Sequence, residues 1–169
     1  VGSPEQERDD SDARALADYL THRGRISALY EPGTDASFVD LFKNWGVNIG
    51  TGSLADAVRH VTDKLMTPLV QRTNGQFLDG PGIEITQNLG VAFFPGTTYI
   101  AAMLSPADTP PFLSFLAIAL TTPASWLEHD LEDVKFDADE DILGPFPVAM
   151  AVAATGTTDE AGGGHTEED

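Results

Sequence analysis

Cysteine is absent from the 169 residues, which removes disulfides, thiolate metal ligands and a thiol nucleophile together. Basic side chains are scarce. Nine Lys and Arg stand against twenty-seven Asp and Glu, a formal charge of -18, and lysine occurs only as Lys43, Lys64 and Lys135. A field of that sign repels a phosphate backbone, so nucleic acid is not an expected partner. No apolar run approaches the roughly 18 residues of a membrane span, and no signal peptide opens the chain. The histidines His22, His60, His129 and His165 lack metal-ligand spacing. The expectation is a protein without metal or cofactor.

What is present is 41% hydrophobic content over a length that supports one sizeable core. One α/β domain over residues 1–155 is expected, followed by a disordered acidic tail over 156–169, where Gly162-Gly163-Gly164 and terminal acids leave little to bury. Asp outnumbers Glu. A surface of short carboxylates with few ammonium groups fits adaptation to high salt, where screening relieves self-repulsion. The chain opens on Val1 and Val1-Gly2-Ser3-Pro4 reads as a strand end and turn, so a processed or excised piece lacking its first strands is expected.

Ser11 is placed to cap a helix whose Leu16, Tyr19 and Leu20 share a face, with Arg23 in its last turn and Gly24 as its stop. Ile26 to Tyr30 reads as a short strand ended by Glu31-Pro32-Gly33. Thr34 or Asp35 caps a second helix in which Phe38, Leu41, Phe42 and Trp45 fall at i, i+3, i+4 and i+7 before Gly46. Val47 to Ile49 then reads as a strand. This alternation predicts a mainly parallel sheet flanked by helices, with additional strands and a hairpin in the C-terminal half. Leu54 to Val61 reads as a helix, Pro68 to Arg72 as a strand, and Asn74-Gly75 as a turn able to close a hairpin. Gly82 to Leu89 reads as a turn or short helix. Strands are expected over Val91 to Phe94, Thr97 to Leu104, most of Phe112 to Leu120, and Pro147 to Ala153.

Three constellations suggest chemistry. Val47-Asn48-Ile49 runs into Gly50-Thr51-Gly52-Ser53-Leu54-Ala55, which fits G-x-G-x-x-A and would aim a helix N-terminus at a pyrophosphate, but no Asp or Glu lies between Asp63 and Asp79 to hold a ribose. An ordinary glycine-containing loop is the better reading. Asp137, Asp139 and Asp141 alternate as in a calcium loop, yet Ile142 and Val148 stand where Gly and Glu belong. Ser125, His129 and Asp130 are close in sequence without nucleophile-elbow glycines, so Ser125 is expected to cap a helix or turn and Trp126 to plug the core. Trp45 completes an apolar stripe and belongs to the core.

The order of short motifs resembles the soluble domain of the gliding-motility-type ABC transporter auxiliary proteins. The helix Ala15 to Leu20 and Leu29-Tyr30-Glu31-Pro32-Gly33 match its helix and "DPG"-like turn, and Asn44-Trp45-Gly46-Val47 its "WGV". Pro68-Leu69-Val70 and Phe93-Phe94-Pro95-Gly96 match its "PLV" and "FFPG". Thr121-Thr122-Pro123-Ala124-Ser125-Trp126-Leu127-Glu128, the acidic Asp139-Glu140-Asp141, and Gly144-Pro145 match its "TS..SW.E", acidic loop and "GP". Glu31, Thr122 and Pro123 depart from the family pattern, and its membrane helices have no counterpart here.

The resemblance implies a flavodoxin-like or class I glutamine amidotransferase-like fold, outside the cytoplasm, tethered by membrane segments beyond this chain and working beside an ABC permease and ATPase. Amidotransferase chemistry needs a thiolate, which is missing. A non-enzymatic auxiliary or recognition domain is therefore expected, with a homo-oligomer left open. The alternative is a module binding a nucleotide or sugar at strand ends around Glu31, Pro32, Gly33, Gly50, Thr51, Gly52 and Ser53. A hydrolase using carboxylates near Glu128 and Asp130 is a third reading.

Overall fold

The computed structural model describes residues 10–22, 24–30, 32–78 and 84–154. Two short α-helices come first, α1 (Asp10–Thr21) and α2 (Ala36–Lys43), and after them the described residues form ten strands with two single-turn 3-10 helices at Arg72–Asn74 and Glu84–Thr86. In α2 the Asp35 carboxylate accepts from the Ser37 amide at 2.8 Å, filling one of the donors a helix start leaves open. Phe38 and Leu41 are the buried positions of the apolar stripe, and Gly46 at φ +76° turns the chain out of the helix. A side chain at Gly46 would also meet the Phe115 ring at 2.8 Å.

The first strands are β1 (Val47–Ile49), β2 (Ser53–Asp56), β3 (His60–Val61), β4 (Lys64–Gln71) and β5 (Val91–Phe93). They are followed by β6 (Ile100–Ala102), β7 (Leu113–Leu120), β8 (Ser125–Glu128), β9 (Ile142–Leu143) and β10 (Pro147–Ala154). Every strand pair among them is antiparallel. β1 pairs with β6, β7 with β10, β8 lies between β2 and β9, and β4 lies between β3 and β5. The pairing of β1 runs on beyond β6 through Gly50 N to Tyr99 O at 2.9 Å and Leu54 N to Thr97 O at 2.8 Å. Gln76–Leu78 flanks the other edge of β7, with Phe77 opposite Ala119.

The expected parallel α/β sheet is overturned by this topology. A parallel pair needs a crossover of a dozen or more residues between two strands of one sheet. Residues 24–30 form no ladder, so among the described residues no strand precedes α2 and no β-α-β unit is found there. The helix read over Leu54 to Val61 is also absent. All four residues of β2 are buried while Val58 is 60% exposed, because Asp56 accepts from the Val58 and Arg59 amides and turns the chain at the strand's end. Asn74-Gly75 does turn, with Gly75 at φ +68°, but the chain leaves to flank β7 instead of closing a hairpin. Ser125 starts a strand, not a helix. The expectations for Val1–Pro4, Arg23, Glu31, part of Gly82–Leu89 and the 156–169 tail lie outside the described residues.

One apolar core joins the sheets: Leu54, Val70, Phe77, Ala119, Leu127 and Val148, with Ala92, Phe94, Tyr99 and Phe146 packed against it. Each core member comes from a different strand or flanking segment, so sheet faces, not helices, cover one another. The buried Gln76 stitches β4 to β7. Its amide donates to Leu120 O at 3.1 Å and to Leu69 O at 3.3 Å, and its oxygen accepts from Gln71 N at 3.1 Å.

Candidate functional site

The central strands β2 and β8 are buried along their whole length, and each ends in a carboxylate that is 3% exposed or less. The antiparallel register places these two at opposite ends, Asp56 opposite Ser125 and Ser53 opposite Glu128. Asp56 Oδ1 accepts from Val58 N at 2.9 Å, Arg59 N at 2.8 Å and Thr122 Oγ1 at 2.8 Å, and Oδ2 accepts from Thr122 N at 3.0 Å. Glu128 Oε1 accepts from His129 N at 3.0 Å and Asp130 N at 2.9 Å, while Oε2 accepts from Trp126 Nε1 at 3.0 Å and Lys135 N at 3.2 Å. Neutral donors thus meet the demand of both buried carboxylates. Asp56 ties β2 to the turn before β8, and Glu128 ties β8 to the acidic loop after it.

A third polar knot closes the turn between β7 and β8. Thr121 Oγ1 and Ser125 Oγ lie 2.6 Å apart, Ser125 Oγ donates to Thr122 O at 2.7 Å, and Phe146 N donates to Thr121 Oγ1 at 2.8 Å. Gly144 N donates to Ser125 O at 2.7 Å. A side chain at Gly144 would strike Ser125 Oγ and come within 2.9 Å of Thr122 O. Pro145 follows it through a cis peptide bond. This knot disposes of the Ser125, His129, Asp130 grouping. Ser125 is fully buried and bonded within the turn, while His129 lies past the far end of β8, roughly 13 Å along the strand.

The candidate ligand surface falls in two places. Glu31 lies outside the described residues. Pro32 and Gly33 form the turn before α2, Gly33 at φ +85° with open space around it. Gly50, Thr51, Gly52 and Ser53 join β1 to β2. A side chain at Gly50 would meet Thr98 Oγ1 and the Tyr99 ring at 2.6 Å, and one at Gly52 would lie 2.7 Å from Glu128 O. These glycines admit close packing. A strand follows them, so no helix N-terminus faces a phosphate there.

The motif residues are largely structural. Trp45 is half-buried after α2, Phe94 packs against the core, and Pro95-Gly96 turn the chain with Gly96 at φ +58°. Trp126 is 4% exposed and meets the Phe136 ring edge-on at 6.3 Å between centroids, as its expected core role requires. Tyr30 meets Phe42 edge-on at 5.2 Å, and burial pushes its phenol well above the ordinary range.

The loop from His129 to Asp141 carries Asp130, Glu132, Asp133, Asp137, Asp139, Glu140 and Asp141 against a single lysine. Lys135 pairs with Asp133, and that hydrogen bond first, then the charges of Asp133, Asp137 and Asp130, hold its ammonium above its ordinary value. The three alternating aspartates turn on themselves: Asp141 N donates to Asp137 O at 2.8 Å, Asp139 N to Asp137 Oδ1 at 3.0 Å, and Asp137 N to Asp141 Oδ2 at 2.7 Å. Among the described residues no group of three or more His, Asp or Glu is placed to hold a metal ion.

Two surfaces border this loop. An open groove of about 460 Å³ is lined by Asp63 to Thr67 of the β3–β4 turn and β4, with Gly96 and Val134. On the other side stands β9, whose Ile142 and Leu143 are both exposed. Sequence reasoning missed β9 and the role of Asp56. The signal for Asp56 was an acid directly after Leu54-Ala55, hidden by the helical spacing of Leu54, Val58 and Val61. No helix among the described residues is long and apolar enough to cross a membrane. No protein-family model matches the chain, and neither the curated proteins nor the solved structures return a match.

Proposed function

We propose that this chain is a non-enzymatic auxiliary or recognition domain that works by surface contact, in an ABC-type membrane transport system and held outside the cytoplasm by segments beyond this chain. The observation that carries the recognition reading is where the polar side chains go. Asp56, Thr121, Ser125 and Glu128 are buried and tied into the turns around β8, so the reactive-looking groups build the fold instead of facing a substrate. Large apolar side chains stand exposed at strand edges instead, Phe93 on β5 and Ile142 and Leu143 on β9, as expected of a surface that meets another protein.

The transport setting rests on the order of motifs alone. The antiparallel sheets remove the amidotransferase-like fold that the resemblance implied. A nucleotide or sugar site around Gly50 to Ser53 gains no support, since packing against Tyr99 and Glu128 fills the space beside both glycines.

Co-purification of the natural full-length protein from extracted membranes at high salt tests the proposal. Recovery of an ABC permease and ATPase is expected. Recovery of the protein alone would remove the transport setting.

A further inference from the structure

We infer that the open edge of β9 docks a basic, apolar, extended segment of a partner protein, an inference that rests on the recognition reading and gives it a surface. β9 pairs with β8 on one side, Trp126 opposite Leu143 and Leu127 opposite Ile142, and among the described residues no strand lies on its other side. Its two side chains are 61% and 54% exposed although both are large and apolar. They point to opposite faces of the strand, so neither face of this edge is covered. Leu131 and Phe136, from the loop leading into β9, are exposed as well.

Charge selects the occupant. Seven carboxylates between Asp130 and Asp141 precede β9, and the single ammonium among them, Lys135, already pairs with Asp133. The Glu128 carboxylate holds the loop through the Asp130 and Lys135 amides, and the Asp137–Asp141 turn holds its end next to β9, so its charge is presented in a fixed place. A second copy of this chain, with its charge of -18, is repelled from such an edge, as is an acidic peptide. An extended segment alternating Lys or Arg with β-branched or aromatic residues satisfies both features. Its main chain pairs with β9, its apolar side chains cover Ile142 or Leu143, and its cations reach the loop carboxylates.

The test uses a synthetic peptide of about eight residues alternating lysine with valine, beside a scrambled peptide of the same composition and charge. Both are titrated to about 1 mM in roughly 0.15 M salt, where exposed charges act over about 8 Å. Amide shifts and exchange at Ile142 and Leu143 are followed together with tryptophan fluorescence. The alternating peptide is expected to bind and to slow exchange at these two amides. The paired substitution Ile142→Ser and Leu143→Ser should weaken binding by about tenfold or more, the loss of roughly 1.4 kcal/mol that such a factor represents. Phe93→Ser removes an equally exposed apolar side chain from another edge and should leave binding unchanged.

Equal binding of the scrambled peptide, dependence on Phe93 instead of β9, or no response at Ile142 and Leu143 would overturn the inference. The transport reading is judged separately. Peptide binding at β9 without recovery of a permease and ATPase removes that reading and keeps the surface. Recovery of both by the β9 variant does the reverse.

Discussion

At the residue scale, the buried carboxylates carry the most testable weight. Removing Asp56 leaves two amides of the following turn and both donors of Thr122 without an acceptor inside the protein. Asp56→Ala is expected to cost on the order of 3 kcal/mol or more in urea unfolding, and Asp56→Asn less, because its carbonyl oxygen keeps part of the network. A loss under about 1 kcal/mol for the alanine variant would contradict the role assigned to the buried knot. Gly144 gives an independent check on the same region. Its Cβ would overlap Ser125 Oγ and press on Thr122 O, whereas one at Gly90 meets nothing within 4 Å. Gly144→Ala should destabilise by about 1–3 kcal/mol and Gly90→Ala by no more than about 0.5 kcal/mol, measured side by side. The Thr-Thr-Pro-Ala-Ser-Trp-Leu-Glu run was legible as a distinctive segment. Its meaning was not, because Asp56 is 66 residues from its Thr122 partner and local sequence holds no trace of that contact.

At the element scale, α2 is the part the sequence renders best. Its Asp35 cap and the buried Phe38 and Leu41 stand as the sequence puts them, but the helix ends at Lys43 with Asn44 as its C-cap, so Trp45 lies beyond it, half-buried, and Gly46 turns the chain three residues after the last helical one. The strands after it were legible where an apolar run was bounded by turn residues, as at β4, β5, β7 and β10. They were lost where a strand was short and buried on both faces, since β2 shows no alternation to distinguish it from a helix. Pairing direction was the larger loss. Helix-strand alternation near the N-terminus suggested crossovers, but the strand that would begin one, over Ile26 to Tyr30, has no ladder to join.

The cap of α2 supplies a pH prediction. The Ser37 hydroxyl, and then its amide, holds the Asp35 carboxyl below its ordinary value of 3.8. A lowered folded value means the unfolded state binds the proton more readily, so this contribution is present above 3.8 and is lost as pH falls through the folded value. Protection of the Ser37 and Phe38 amides, taken relative to their intrinsic exchange rate at each pH, should fall in that acidic window, and in Asp35→Ala it should already be low at neutral pH. Protection at these amides that stays constant across the window in the wild type would show that the cap does not hold the helix start.

At the scale of the whole molecule, a formal charge of -18 on a chain of modest core sets the balance. Self-repulsion opposes compaction, and salt relieves it by shortening the screening length from about 10 Å at 0.1 M to about 3 Å at 1 M. The melting temperature should therefore climb by several degrees with potassium chloride over that range and level off beyond it. A flat or falling curve would show that the charge is not what limits stability. Seven of these carboxylates lie in the loop that leads into β9, beside its uncovered apolar edge.

The most direct measurement compares the wild-type full-length protein with its Ile142→Ser, Leu143→Ser variant in co-purification from extracted membranes at high salt. Recovery of an ABC permease and ATPase with the wild type, and their loss with the variant, is the expected result. A wild type that emerges alone would contradict recognition within a transport assembly.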